Sequence, residues 1–126
     1  MPDQFNRTPR PQRRVVVTGI GAQTPLVNSA DESWDNAVNG KSGIGIIQNF
    51  DASAIDSRIA GEVKNFDPSQ VIAKKDLKKM DRFIQLALVG AEEALKDSGL
   101  EVTEENATRI GSYVGVGMGG LPVIQA

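Results

Sequence analysis

The sequence predicts an α/β fold of layered helices and strands, and three observations carry that expectation. The β-branched triplet Val15-Val16-Val17 reads as a short buried strand. Residues 80–98 repeat apolar side chains at helical spacing, and Ile110–Val116 returns to strand character. Strand, short helix, long helix and strand in that order suit helices packed on a sheet. The chain has 126 residues, one domain's worth, able to bury about two thirds of its unfolded surface.

Taken in order, residues 1–13 hold Pro2, Pro9 and Pro11 with Arg7, Arg10 and Arg13 and almost no apolar material. They read as a flexible arm. They lack the apolar h-region of a secretory signal, and the prolines spoil the amphipathic helix of an organellar transit peptide, so the cytoplasm is the default location. After the first strand, Thr18-Gly19-Ile20-Gly21 lets the backbone turn. Ser29 with Glu32 offers a capping box for a short helix whose apolar face is Trp34, Ala37 and Val38, stopped by Gly40. Residues 41–67 alternate weakly and read as loops with a short strand near Arg58–Val63.

The long helix shows Met80, Phe83, Ile84, Ala87, Leu88, Ala91, Ala94 and Leu95 at helical spacing. Leu86, Val89 and Gly90 widen that surface, which predicts cover on more than one side. Ser98-Gly99-Leu100 supplies a glycine stop. Thr103–Thr108 is a polar connection with room for one helical turn. The last strand leads into Gly115, Gly117, Gly119 and Gly120, and Leu121–Ile124 is then apolar without a polar tail. An apolar segment needs something to pack against, so residues 14–126 read as part of a domain incomplete at its C-terminal end.

Composition narrows the chemistry. Fourteen basic and sixteen acidic side chains give net −2, which does not suit a nucleic-acid binder. No apolar run approaches the roughly 18 residues that cross a bilayer. Cys and His are both absent. That excludes Cys/His zinc sites, thiolate nucleophiles and imidazole acid–base chemistry from this chain's own side chains.

Three patterns are candidates for function. Gly115-Val116-Gly117-Met118-Gly119-Gly120 matches G-x-G-x-x-G, the dinucleotide fingerprint, but not after a domain's first strand, and close backbone packing explains it better. Lys74, Lys75, Lys78 and Lys79, opposed only by Asp76, put +3 within six residues. If helical, Lys75, Lys78 and Lys79 share a face, either a plain solvated face or a dock for an acidic partner. Asp31/Asp35 and Glu92/Glu93 are carboxylate pairs on helix positions where acids are common, and no catalysis is assigned to them.

Several segments together resemble the β-ketoacyl-acyl carrier protein synthases, the type II condensing enzymes. They are Arg13–Gly21, Thr24-Pro25, Trp34, Gly40–Ile44, Phe50-Asp51, Ala60–Lys64, Lys79–Phe83, Asp97–Leu100 and Gly115–Leu121. Val27 stands where that family usually has glycine. The resemblance implies a thiolase-like layered fold of which this chain is the N-terminal part only, in an enzyme that is usually a homodimer. It implies decarboxylative Claisen condensation of acyl and malonyl thioesters held on acyl carrier protein, in fatty-acid elongation. In that family a cysteine at a helix N-terminus takes the acyl group, two histidines assist decarboxylation, and no redox cofactor is used. All of those residues lie beyond the segment that matches here. The resemblance makes Lys75, Lys78 and Lys79 the dock for the acidic carrier protein, and places Met118 in the wall of the acyl pocket, where an adaptable side chain suits. It implies no cofactor, nucleic acid or membrane. Two other readings stay open: a non-catalytic carrier-protein-binding module and a small nucleotide-binding α/β domain.

Overall fold

Residues 12–120 are described by a computed structural model. Most of the expected N-terminal arm and the apolar end Leu121–Ile124 lie outside the described residues. The elements in order are α1 (Ala30–Val38), β1 (Ile44–Ile46), β2 (Ile59–Gly61), a 3₁₀ turn (Pro68–Gln70), α2 (Lys74–Leu77), α3 (Arg82–Ser98) and a second 3₁₀ turn (Ala107–Arg109).

The long helix forms where its periodicity places it. Asp81 caps it, its Oδ1 accepting the Arg82 N–H at 2.7 Å, so Met80 and Asp81 fall just outside. Gly99 ends it in the left-handed conformation at φ 64°, which only glycine adopts without strain. Most of its side chains are half-buried and none is fully buried, with Leu88 and Leu95 exposed. The expected cover on more than one side is therefore not present among the described residues.

The two predicted strands, Val15–Val17 and Ile110–Val116, form no ladder. A strand is defined by its partner, and no described residue offers either segment one. Val15 is 93% exposed and Tyr113 101%. The glycine turn after Val17 lies on α3 instead. The Ile20 N–H donates to Asp97 Oδ2 at 2.8 Å and the Ala22 N–H to Glu93 Oε2 at 2.9 Å. The approach is so close that a Cβ on Gly21 would run into the Gly90 carbonyl and come within 2.8 Å of the Ala94 nitrogen.

The paired strands are β1 and β2, antiparallel, with Ile44 opposite Gly61 and Ile46 opposite Ile59. This confirms a strand near Arg58–Val63 and adds one at Ile44–Ile46 that weak alternation around Gly45 concealed. Pro25 seats against this hairpin, 2.9 Å from where a Gly61 Cβ would stand. Thr24 fixes the turn before it, its Oγ1 donating to the Val27 carbonyl at 3.0 Å and accepting the Leu26 N–H at 3.2 Å.

Helix α1 is present, but not as its sequence suggested. Ser29 sits at the cap position, yet its hydroxyl makes no cap bond and stays buried without a partner. The capping box is replaced from a distance: Glu93 Oε1, on α3, accepts the Ala30 N–H at 2.6 Å. The face turned inward carries Ser33, whose hydroxyl meets Thr24 Oγ1 at 2.8 Å. Trp34, expected inside, is 70% exposed. Among the described residues the buried apolar side chains are Ala52 and Ile72. Ile72 sits between the first 3₁₀ turn and α2, and its burial contributes about 1.5–3 kcal/mol.

Candidate functional site

The lysine segment is a turn clamped to α3 rather than a long helical face. Asp67 starts it, its Oδ1 accepting the Ser69 N–H at 2.9 Å as Pro68 enters the 3₁₀ turn. Hydrogen bonding from the Ser69 side chain, then from its N–H, holds the Asp67 carboxyl below its ordinary 3.8, with a further small contribution from the charge of Lys74. Helix α2 then runs a single turn and ends with Lys78 at its C-cap. Gln85 Nε2, on α3, ties the turn down, donating to the last α2 carbonyl, Leu77 O, at 3.3 Å and to Met80 O beyond the helix at 2.9 Å. Lys75 and Lys78 stay one turn apart, while Lys79 has left the helix, its N–H returning to the Asp76 carbonyl at 2.9 Å.

Lys74, Lys75, Lys78 and Lys79 are all exposed. Among the described residues the one ion pair is Lys96–Glu92 at 3.2 Å on α3, so none of the four lysines is held in an ion pair. Arg82 extends the positive surface, with its guanidinium 4.6 Å above the Phe66 ring and its Nη2 donating to the Val63 carbonyl at 3.1 Å. Sequence reading passed over both residues. The available signal was a fifth cation three positions after Lys79.

Met118 is 81% exposed in a bend formed with Gly117. The glycine run after it is seated: a Cβ on Gly119 would come within 2.7 Å of the Phe83 ring. Gly119 therefore serves close packing, whereas a Cβ on Gly115 or Gly117 would meet nothing within 4 Å, so the packing expected of the whole run holds only at its end. A cavity of about 490 Å³ lies beside α1, lined by Ile20, Ala22, Leu26, Trp34 and Ala37 among others. It adjoins neither the lysines nor Met118.

The carboxylates set aside in the sequence divide by role. Glu92 pairs with Lys96 on the surface. Glu93 holds two separate backbone segments and so is structural. Among the described residues no three acidic side chains converge as a metal-ligand set.

Comparison with known proteins places this geometry in a family. A family profile described as the beta-ketoacyl synthase N-terminal domain matches residues 12–125. The chain belongs to the beta-ketoacyl synthase family. It is 50% identical over 115 residues to a 3-oxoacyl-[acyl-carrier-protein] synthase 2 of Vibrio harveyi, covering 91% of this chain and 28% of that protein. A synthase of the same name from Coxiella burnetii is 46% identical over 90% of this chain and 28% of its own length. Staphylococcus aureus (strain COL) has another, 42% identical over 90% of this chain. The solved ishigamide ketosynthase/chain length factor aligns over 75% of this chain and 23% of its own, with TM-score 0.65 and 34% identity. The chain thus spans little more than a quarter of the length of the curated relatives it matches.

Proposed function

We propose that this beta-ketoacyl synthase segment serves a 3-oxoacyl-[acyl-carrier-protein] synthase as its carrier-docking and pocket-wall portion. The observation that carries the reading is the exposed lysine turn, held in place by Gln85 and free of ion pairs among the described residues. It occurs in a chain whose relatives' names include the acyl carrier protein. Lys75, Lys78 and Lys79 attract the acidic carrier protein, and Met118 closes one wall of the acyl pocket.

The condensation needs groups that this chain does not contain. The malonyl carboxylate leaves as CO₂, and the carbanion left behind attacks an enzyme-bound acyl thioester. A carbon–carbon bond forms, the thiolate departs and takes up a proton, and a 3-oxoacyl thioester remains on the carrier protein. With neither Cys nor His among its 126 residues, the chain provides neither the acyl-accepting thiol nor imidazole assistance. Exposed apolar side chains at Val15, Val17, Trp34 and Tyr113 support a thiolase-like layered arrangement in which further polypeptide and a second subunit cover them. Cytoplasmic placement fits the same reading; no helix among the described residues is long and apolar enough to cross a membrane.

The test is a titration of acyl carrier protein against the natural full chain and against Lys75→Glu/Lys78→Glu. Two charge reversals lower affinity about tenfold or more at low salt, mainly through slower association. Unchanged affinity removes the docking role.

A further inference from the structure

The lysine turn attracts an acidic partner but does not orient it. Lysine is a flexible, strongly hydrated point charge, and the side chains of Lys75, Lys78 and Lys79 make no hydrogen bond or ion pair among the described residues. Arg82, next to them in the chain, is built differently. It lies 4.6 Å over the Phe66 ring, and one of its five N–H donors is fixed to the Val63 carbonyl at 3.1 Å. The platform beneath it is itself pinned, because Asn28 Nδ2 donates to the Lys64 carbonyl at 2.8 Å and to the Asn65 carbonyl at 3.1 Å.

Arg82 also borders a polar groove of about 430 Å³ with Gln48, Asn49, Glu62, Lys64 and Phe66. The acid in that groove is already engaged: the Glu62 carboxylate accepts the Gln48 and Asn49 N–H groups, each at 3.0 Å. The groove therefore pairs two cations with a carboxylate turned to its own backbone. Resting on the docking reading above, we propose that Arg82, stacked on Phe66, is the anchor that fixes the acyl carrier protein's orientation by gripping one of its carboxylates, while the lysines supply long-range attraction. A planar fork held on an aromatic face loses little freedom on binding and matches a carboxylate bidentately.

The experiment titrates the natural full chain with acyl carrier protein at low and at raised salt, recording association and dissociation rates. Arg82→Lys keeps the charge and removes the fork, and Phe66→Leu keeps an apolar seat and removes the aromatic face. Each weakens binding about three- to tenfold, chiefly through faster dissociation, and the loss persists at raised salt. Lys75→Glu/Lys78→Glu instead slows association, an effect that fades with salt. Lys96→Gln, roughly 21 Å along α3 from Arg82 at 1.5 Å per residue, stays within twofold.

If the lysine reversal weakens binding while Arg82→Lys and Phe66→Leu stay within twofold, the anchor is refuted and docking survives. If none of the variants changes affinity, the docking reading falls and the anchor with it. Circular dichroism and melting check the fold; should Phe66→Leu fail to fold, the charge-conserving Arg82→Lys decides alone.

Discussion

Removing the Glu93 carboxylate should unfasten two parts of the chain at once. One oxygen accepts the Ala30 N–H at 2.6 Å, and the other accepts the Ala22 N–H at 2.9 Å and faces Gln23 Nε2 at 3.4 Å. A hydrogen bond to a charged group contributes about 1.5–3 kcal/mol, and loss of a helix cap costs about 0.5–2 kcal/mol. Glu93 is half-buried, so water recovers part of each bond. Glu93→Ala should then cost about 2–3 kcal/mol, a large share of the roughly 5–15 kcal/mol that holds a domain together. Glu93→Gln keeps one acceptor oxygen and should cost about half as much. Urea unfolding of the full chain reads the loss, and amide hydrogen exchange locates it, with faster exchange at Ala22 and Ala30 and little change in the β1–β2 hairpin. A Glu93→Ala cost under about 0.5 kcal/mol, with exchange at those two amides unaltered, would refute the clamp.

Close contacts and the lysine turn give two further expected outcomes. Gly21→Ala drives a methyl group into the Gly90 carbonyl on α3, and overpacking of this kind costs about 1–3 kcal/mol; a melting temperature equal to the parent's would contradict that approach. Gln85→Leu removes the donor to Leu77 O and Met80 O. It should speed amide exchange across residues 77–81 and weaken carrier-protein binding a few-fold, with every lysine still present, whereas unchanged exchange there would show that the turn holds itself.

The features legible in the sequence were those that depend on neighbours along the chain. The apolar spacing of residues 82–98 and the glycine at position 99 fix α3 and its end locally. Gly40 marks the end of α1 for the same reason, at φ 68°, and the polar stretch before Ile110 holds the single 3₁₀ turn it had room for. The misses share one cause, which is dependence on a distant partner. Val15–Val17 has strand composition, but strand formation requires a ladder that the described residues do not offer it. Ser29 and Glu32 have capping-box spacing, but a carboxylate 63 residues away takes the Ala30 amide. Trp34 lies where periodicity puts an inward face, yet that face borders the open cavity beside α1. At the candidate site the lysines stood out by charge alone. Phe66 and Gln85, which give the neighbouring surface its rigidity, carried no local signal because Phe66 acts on Arg82 and Gln85 on Leu77 and Met80, none of them chain neighbours.

The division of labour can be tested most directly by supplying purified acyl- and malonyl-acyl carrier protein to the isolated 126-residue chain and tracking 3-oxoacyl product by mass spectrometry. The chain should form complexes with carrier protein while producing no CO₂ and no condensation product. Sustained turnover by the pure chain would place the reacting groups among side chains that include neither thiol nor imidazole, and would contradict the assignment of docking here and chemistry elsewhere.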